Sequence, residues 1–480
     1  MIRNTEPRSW HGTWYLPESD QKHWGVLNYE PEGVFQLTIM SEGFGNPWEE
    51  IDHPSTKTVI LRQRDISTPY PAVYGEADGR FITLFDVYTG GSTQKYASQA
   101  AYSEATYYPQ TMIIGAHIPS MQSEVLRSLS ISFDFLHIWL EDSGWLKVGT
   151  TWDESGSRII EHFCKVETEI YDRPMRCLTV DDETAITIDY YGTLPDLKWS
   201  AFEYESRSRI SASIKLTNIK NSCSLKSFQP KIFALETLLS ICLDRPCKPF
   251  AFKCELWNQN RLSSVEILIP RRGSIPSKEP SGQYLEKLSG CEKNRDFNYY
   301  FEKWFPFYEQ HYPALSLLNG FLANDDSHFL ETSVMLAQTL VETFHKSMFG
   351  KKYKDLLPES IEAAERLRPG RSPQDKKKVT TFKRAIDLSH RLPAEVRDLL
   401  IPDEGKWAGS LVDARNDIAH DGNLRKVEIF QAHAAAKIAI AVVTIHVLIQ
   451  LGTETESLLK LLNDRNSLSK AKELASDYLV

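Results

Sequence analysis

Residues Leu411 to Asp421 read LVDARNDIAHD, and this stretch organises the interpretation of the whole chain. Its apolar positions recur at helical spacing and predict a buried stripe that consists of Leu411, Ala414 and Ile418. Ser410 is the expected N-cap, and Asp413 stands three residues later, in the place of a capping-box acid. Gly422 follows as the expected C-terminal stop. The stretch therefore predicts a helix over 410–421.

Arg415 and His420 are the candidate catalytic residues of this helix. His420 falls in the last turn, where the helix dipole favours the charged imidazole by about 0.3–1 kcal/mol. An imidazole held there can take and give a proton near neutral pH. Arg415 stays cationic and matches the geometry of a phosphate group. The pair can therefore cut RNA without a metal: the 2′-hydroxyl loses its proton and attacks the adjacent phosphorus, and the Arg stabilises the developing charge.

A single copy of the helix does not bring Arg415 and His420 together. At about 100° per residue, five positions separate the two side chains by roughly 140° around the helix axis. Two copies that meet across a two-fold axis would gather two Arg and two His, because such an interface sets equivalent residues opposite one another. A catalytic pair therefore predicts a homodimer. The alternative is a solvated helix face, since Arg and His also occur at this spacing by chance.

The composition indicates a globular protein with more than one domain. The chain has 480 residues, of which 41% are hydrophobic and 25% charged, so two or three domains are expected. The net charge of −9 argues against a protein that coats nucleic acid. It still allows a local basic site, because affinity for phosphate depends on nearby Lys and Arg.

We expect no metal site, no cofactor and no membrane segment. The seven Cys form no C-x-x-C pair and have no zinc-type His partner, so they read as reduced thiols of a cytoplasmic protein. P-loop, dinucleotide-binding and zinc-protease motifs are absent from the sequence. The N-terminus lacks the apolar core of a signal peptide. The apolar run Ile438 to Leu451 is shorter than the ~20 residues that span a bilayer, which favours a buried core helix.

The pattern predicts an α+β multidomain protein. Residues 1–270 read as a β-rich domain with an antiparallel sandwich or barrel-like sheet, because short alternating runs such as Phe35-x-Leu37-x-Ile39 are separated by turn residues. A helix around Ile232–Cys242 is expected to pack on this sheet. Residues 271–296, rich in Pro, Gly and Ser, are the predicted linker. Residues 297–480 read as an all-α bundle, with helices predicted over 297–323, 328–349, 355–368, 375–391, 394–401, 410–421, 424–451 and 455–476.

The densest basic region lies in the helical part, ahead of the motif. Its candidate RNA-binding residues are Lys351, Lys352, Lys376, Lys377 and Lys378. Lys383 and Arg384 extend the region along the chain. Clustered cations beside a nuclease site can guide RNA towards it. The alternative is a solvated charged face, because acidic residues such as Glu362 are interspersed.

These segments carry a resemblance to a known family. RNDIAHDG, at Arg415–Gly422, resembles the RNxxxH signature of the HEPN superfamily of ribonucleases. The helix at Phe329–His345 resembles the helix that precedes this motif in the ApeA-like HEPN group, including a Glu and a His three residues apart. The first half is similar to the β-rich domain that accompanies ApeA-type HEPN domains, through Gly12–Trp14, Trp24–Leu27, Asp78–Leu84 and Phe133–Trp139.

The resemblance implies an activity and roles for particular residues. It implies a metal-independent endoribonuclease of antiphage defence, which damages host RNA, with tRNA as the expected target, and so acts as a toxin in abortive infection. It also implies a homodimer through the HEPN domain, or a higher oligomer, held off until a trigger such as a phage-derived protein reaches the β-rich domain. Asn416 is expected to contact RNA or support the motif. Glu342 and His345 are expected to face the motif helix, where Glu342 could orient Arg415 or His420.

A binding protein is the alternative function. Some HEPN domains do not cleave RNA and serve as nucleotide-binding or interaction bundles, and the Trp- and Tyr-rich β domain would then bind a sugar, a peptide or a protein. The aromatic residues have a simpler explanation as filling of a sheet core. Retention of both Arg415 and His420 favours the enzyme, because a decayed nuclease would be free to lose either residue.

Overall fold

The computed structural model describes most of the chain, in two compact units. The first comprises Met1–Asp134, Thr168–Ile232 and Lys248–Ser281, and the second comprises Phe135–Glu167, Phe233–Cys247 and Gly282–Val480. The described residues are 3–31, 34–41, 43–44, 48–52, 59–63, 68–97, 100–140, 146–152, 159–166, 178–179, 183–199, 204–220, 222–258, 261–270, 288, 297–323, 329–369, 372, 374 and 377–480. The predicted linker lies outside them except for Leu288, and the predicted domain limits stay predictions.

Six strands of the first unit close into an antiparallel barrel. In chain order, the strands of the whole described part are β1 (Arg8–Tyr15), β2 (His23–Tyr29), β3 (Phe35–Ile39), β4 (Trp48–Asp52), β5 (Val59–Gln63), β6 (Tyr70–Ala77), β7 (Arg80–Ala97), β8 (Ala100–Tyr108), β9 (Thr111–Ile114), β10 (Leu126–Phe133), β11 (Leu146–Trp152), β12 (Ile159–Val166), β13 (Leu178–Thr179), β14 (Thr184–Trp199), β15 (Tyr204–Asn218), β16 (Pro249–Asn258) and β17 (Arg261–Leu268). The order β7-β6-β1-β2-β3-β8 returns to β7, because β8 also pairs with β7.

The barrel closes around the apolar side of alternating strands. In β3, Phe35, Leu37 and Ile39 are buried while Gln36 is exposed, as a period of two requires. Trp14 is fully buried, and its indole N–H donates to the Gly25 carbonyl at 3.2 Å. The same core includes Leu27, Tyr29, Val73, Leu84, Val87 and Tyr107. The predicted barrel-like β region is therefore confirmed.

The sheet continues beyond the barrel from the edge of β7. The added order is β9-β17-β16-β10-β15-β14-β13. All of these strands lie within the predicted β-rich region 1–270. Two further two-stranded sheets pair β4 with β5 and β11 with β12.

The second unit is mainly helical, which confirms the all-α C-terminal part. Its long helix α3 is kinked at His311, two residues before Pro313, because proline cannot donate the hydrogen bond that a straight helix needs. The described helices are α1 (Leu136–Trp139), α2 (Leu225–Leu243), α3 (Phe297–Ala323), α4 (Leu330–Met348), α5 (Pro358–Leu367), α6 (Thr381–His390), α7 (Ala394–Leu400), α8 (Glu404–Asp421), α9 (Ile429–Gln450), α10 (Thr455–Leu461) and α11 (Ser467–Tyr478).

Helix α9 is the central apolar helix of this unit. By length and composition alone it could cross a membrane, but 78% of its most apolar window is buried in the protein. His446 is buried in it and donates to the Leu388 carbonyl at 3.0 Å. Burial lowers the pKa of His446 to about 4, so the ring is neutral in the core. These observations support the interpretation as a core helix, while the cytoplasmic location stays a prediction.

The second half of α2 belongs to the helical unit. Trp304 donates from its indole N–H to the Ala234 carbonyl at 2.8 Å. Asp244, just after α2, accepts from the Ser467 backbone N–H at 2.7 Å and from its hydroxyl at 2.5 Å, at the start of α11. The helix was expected to pack on the β domain. Phe233–Leu243 are grouped with the second compact unit, and the packing of the helix on the β domain stays a prediction.

Several helix boundaries differ from the predicted ones, and two of the differences have a clear local cause. The motif helix begins at Glu404 instead of Ser410, because buried Trp407 and Ala408 extend the apolar stripe backwards and Asp403 caps the Lys406 backbone N–H at 2.8 Å. The predicted helix over 455–476 is two helices, α10 and α11. The break occurs because the Asn466 side chain accepts from the backbone N–H groups of Leu468 and Ser469 and caps a new start.

Two glycines of α8 give a matched test of this packing. No atom lies within 4 Å of a methyl group placed on Gly409, whereas one on Gly405 would lie 2.8 Å from Leu367 Cδ2. Gly409→Ala should raise the free energy of unfolding by about 0.8–1 kcal/mol, the difference in helix propensity. Gly405→Ala should gain less, or lose stability, because Leu367 must move. Guanidinium unfolding measures both, and equal gains would contradict the packing of α8 on the end of α5.

Candidate functional site

The motif lies on the last two turns of α8, whose buried side is firmly anchored. Trp407 donates from its indole N–H to the Ala435 carbonyl of α9 at 3.1 Å. Leu411 and Ala414 are buried, as predicted, whereas Ile418 is half-buried. Gly422 ends the helix with φ +71°, and its N–H donates to the Ile418 carbonyl at 3.0 Å, which confirms the predicted stop.

Arg415 and His420 lie on the open part of this helix, on different sides. Arg415 is half-buried, and its Nη1 donates to Asn416 Oδ1 at a long 3.4 Å. His420 is exposed in the last turn, and no hydrogen bond from a described residue reaches its ring. Both side chains are at least partly accessible to solvent. Their offset around the helix of roughly 140° leaves them apart within one chain.

Asp417 has a role that the sequence does not show. Its side chain is only 2% exposed, although it directly follows Arg415-Asn416 in a polar stretch. Its Oδ2 accepts from the backbone N–H groups of Arg425 at 2.9 Å and Lys426 at 2.6 Å. These hydrogen bonds, first that of Lys426 and then that of Arg425, lower the pKa of Asp417 and keep it ionised. Asp417 thus holds the segment that follows the motif.

Asp413 and Ser410 do not form the predicted capping arrangement. Because α8 starts six residues earlier than expected, both lie inside the helix. Asp413 instead accepts from Arg368 at 2.9 Å, and Arg368 also lies over the Phe382 ring, 5.7 Å from its centre. The end of α5 is therefore tied to the motif helix two residues before Arg415.

The hydrogen bonds of His345 go to other helices than the motif helix, and its expected supporting role stays a prediction. It is fully buried on α4, with Nε2 2.8 Å from Asp387 Oδ2 and Nδ1 2.7 Å from Arg384 Nη1. Arg can only donate, so Nδ1 accepts and Nε2 carries the proton that is donated to Asp387. The ring is neutral, in agreement with its pKa, which burial lowers. On the same helix, the Glu342 carboxylate accepts from Lys346 at 2.6 Å.

Asp387 is the centre of this buried network. It also accepts from Arg391 Nε at 2.7 Å and from the Leu357 backbone N–H at 2.7 Å. Burial raises its pKa, but the hydrogen bonds from His345, Arg391 and Leu357 outweigh burial and bring the pKa to about 2. Arg384 donates to the carbonyls of Gly350 and Lys351, at 3.1 and 3.2 Å. The network therefore holds the chain between α4 and α5. The sequence offers one signal of this network. Asp387 lies between two apolar residues and has an Arg four residues later, as a buried ion pair on one helix face would.

The basic residues divide between the surface and the core. Lys351, Lys352, Lys377 and Lys378 are exposed, which suits the predicted contact with RNA. Lys376 lies outside the described residues. Lys383 and Arg384 are buried and do not extend a basic surface, because Lys383 pairs with Glu365 at 2.6 Å and Arg384 joins the network of Asp387. Within the described part of the chain, no group of three or more His, Cys, Asp or Glu is placed to hold a metal ion.

Comparison with protein families decides the relationship of the chain. The model of ApeA N-terminal domain 1 matches residues 9–304, and that of Apea-like HEPN matches residues 335–457. The chain belongs to the ApeA-like HEPN proteins. No curated protein and no solved structure matches it. Membership of the ApeA-like HEPN family supports an antiphage HEPN-domain protein, and HEPN domains are generally associated with ribonuclease activity, bind RNA and often dimerise.

The buried network gives a test of its structural role. Arg384→Met removes the partner of His345 and the donor to two carbonyl groups, and should lower the free energy of unfolding by about 3–5 kcal/mol. Arg397→Met is the matched control, because its partner Asp398 is 68% exposed, and it should cost less than about 1 kcal/mol. Guanidinium unfolding compares the two. Similar losses in both variants would show that the network does not hold the helical unit together.

Proposed function

We propose that this protein is a metal-independent endoribonuclease in which Arg415 and His420 act on RNA. The observation that carries the proposal is the state of these two side chains. They lie at the open end of a helix that Trp407 and Asp417 anchor, and His420 has no hydrogen-bonding partner among the described residues. The helix is held in place by its buried residues, while the imidazole at its end has no hydrogen bond to a described residue. Such an arrangement is preorganised for a substrate.

The chemistry follows from the two groups. A neutral His420 takes the proton of the ribose 2′-hydroxyl, and the 2′-oxygen attacks the adjacent phosphorus. Arg415 donates to the non-bridging phosphate oxygens, where negative charge grows. The bond from phosphorus to the 5′-oxygen breaks, and a protonated imidazole supplies that oxygen with a proton. The products are a 2′,3′-cyclic phosphate and a 5′-hydroxyl.

Two chains supply the complete site in this proposal. One imidazole must be neutral and another protonated for acid and base to act together, and one helix cannot present Arg415 and His420 on the same side. A two-fold dimer with the α8 helices near its axis brings Arg415 of one chain towards His420 of the other. The defence role, with tRNA as the target and a phage-derived trigger acting through the β-rich unit, belongs to the same proposal and rests on the family.

A non-catalytic HEPN bundle is the competing function. A bundle without catalysis has no need of an exposed imidazole at the end of α8. The exposure of His420 therefore favours the enzyme. Asn416 retains a supporting role in the proposal, because its side-chain oxygen accepts from Arg415 and can orient the guanidinium. Glu342 keeps the same proposed role at longer range, although in this structure it is bound to Lys346.

Substitution of the motif tests the catalytic assignment. His420→Ala and Arg415→Ala should each lower RNA cleavage by at least about 100-fold, because each removes a separate part of the reaction. Cleavage is measured on total tRNA, and sequencing of the new ends should find 2′,3′-cyclic phosphates. Lys460→Ala, on exposed α10, is the control and should leave cleavage unchanged. Wild-type rates in either folded motif variant, or a loss of activity in EDTA that Mg²⁺ restores, would contradict the proposal.

The mass of the protein in solution tests the composite site. Light scattering at the concentration used for cleavage should find a dimer or a larger even assembly, because a lone chain lacks a complete site. A mixed dimer of Arg415→Ala and His420→Ala chains keeps one Arg415 and one His420. Cleavage above that of either variant alone would show that the two chains share a site, whereas a silent mixture agrees with a need for both imidazoles. A strictly monomeric protein that still cuts RNA would exclude the two-chain arrangement.

A further inference from the structure

The segment after the motif helix is held against the same side of α8 that carries His420. Asp417 and His420 are three residues apart, and residues at this spacing are neighbours on one helix face. Both backbone N–H groups that Asp417 binds, those of Arg425 and Lys426, come from this segment. Buried Val427 anchors its end. The chain therefore turns back after Gly422 and passes within about one helical turn of His420.

The backbone of Lys426 is held by Asp417, whereas its side-chain ammonium is largely exposed. Its backbone N–H is held at 2.6 Å from Asp417 Oδ2, whereas its ammonium lies 3.5 Å from Asp417 Oδ1. The Lys426 side chain is 70% exposed. An ion pair with so exposed a partner is weak in water, so the ammonium can leave Asp417 for another anion at little cost. The two backbone hydrogen bonds stay in place when it does.

We propose that Lys426 binds an RNA phosphate next to the one that is cut, and that Asp417 is the positioning residue that places it there. This rests on the RNA-cleaving function proposed above. The ligand is a backbone phosphodiester, since a lysine ammonium recognises phosphate as a point charge and does not read the base. Arg415 then stabilises the reacting phosphate, and Lys426 holds the strand in register with His420.

Salt dependence of binding isolates this contact from cleavage. We would measure the affinity of the full-length His420→Ala protein for a short single-stranded RNA at several salt concentrations. Each phosphate contact adds about 0.7 to the slope of log affinity against log salt. Adding Lys426→Gln should lower that slope by about 0.7. The matched control Lys470→Gln removes an exposed lysine of α11 and should leave the slope unchanged.

Two substitutions of Asp417 test the positioning role. An amide oxygen can still accept both backbone N–H groups, so Asp417→Asn should keep the slope, whereas Asp417→Ala releases the segment and should lower it as Lys426→Gln does. In the protein with His420 intact, Lys426→Gln should raise KM several-fold with little change in kcat. Thermal unfolding checks that each variant is folded. If Asp417→Ala does not fold, the test of the proposal rests on Lys426→Gln and Asp417→Asn.

The outcomes separate this inference from the proposed function. An unchanged slope in Lys426→Gln, or an equal fall in Lys470→Gln, overturns the phosphate contact even if the wild-type protein cuts RNA. Loss of slope in Asp417→Asn overturns the positioning role of the carboxylate oxygen. Absence of cleavage by the wild-type protein refutes the ribonuclease, while a reduced slope in Lys426→Gln would still establish the phosphate contact.

Discussion

The carboxylate of Asp387 is the constraint on which the helical unit depends. It receives donors from α4, from its own helix and from the chain that leads into α5, through His345, Arg391 and Leu357. A buried charge is tolerated only while its partners are in place, so these three segments must be correct at the same time. Because α8 packs against both α4 and α6, the position of the motif helix depends on a carboxylate that is buried elsewhere in the bundle.

The motif helix is held by apolar packing along its first turns and by a polar contact near its end. Trp407, Leu411 and Ala414 supply the apolar side that joins it to the bundle. Asp417 then replaces an apolar residue at the buried edge and binds the returning chain instead. Polar residues at a helix end can therefore differ in their surroundings, since Asp417 is buried and bound to the returning chain whereas His420 is exposed.

Much of this architecture could be predicted from periodicity. The alternation in β3 and the helical spacing of Leu411 and Ala414 report burial directly, so the β-rich and all-α parts and the position of Gly422 are confirmed. Long-range partners could not be predicted, because local spacing contains no information about them.

Three examples show this limit. His345 looks like a neighbour of the motif until the distant Asp387 and Arg384 are in place. Lys383 and Arg384 look like part of a basic surface, although their partners bury them. Barrel closure through β7 and β8 is likewise a property of pairing between strands, not of either strand alone.

Helix α2 has a consequence for how such proteins can evolve. Residues Phe233–Cys247 lie within the matched N-terminal family region, yet they complete the compact helical unit. A gene that exchanged its first half near the linker would deliver a bundle without the Ala234 carbonyl for Trp304 and without Asp244 for Ser467. The two halves of this protein are therefore expected to be inherited together, and recombination between relatives should preserve α2 with the bundle that it completes.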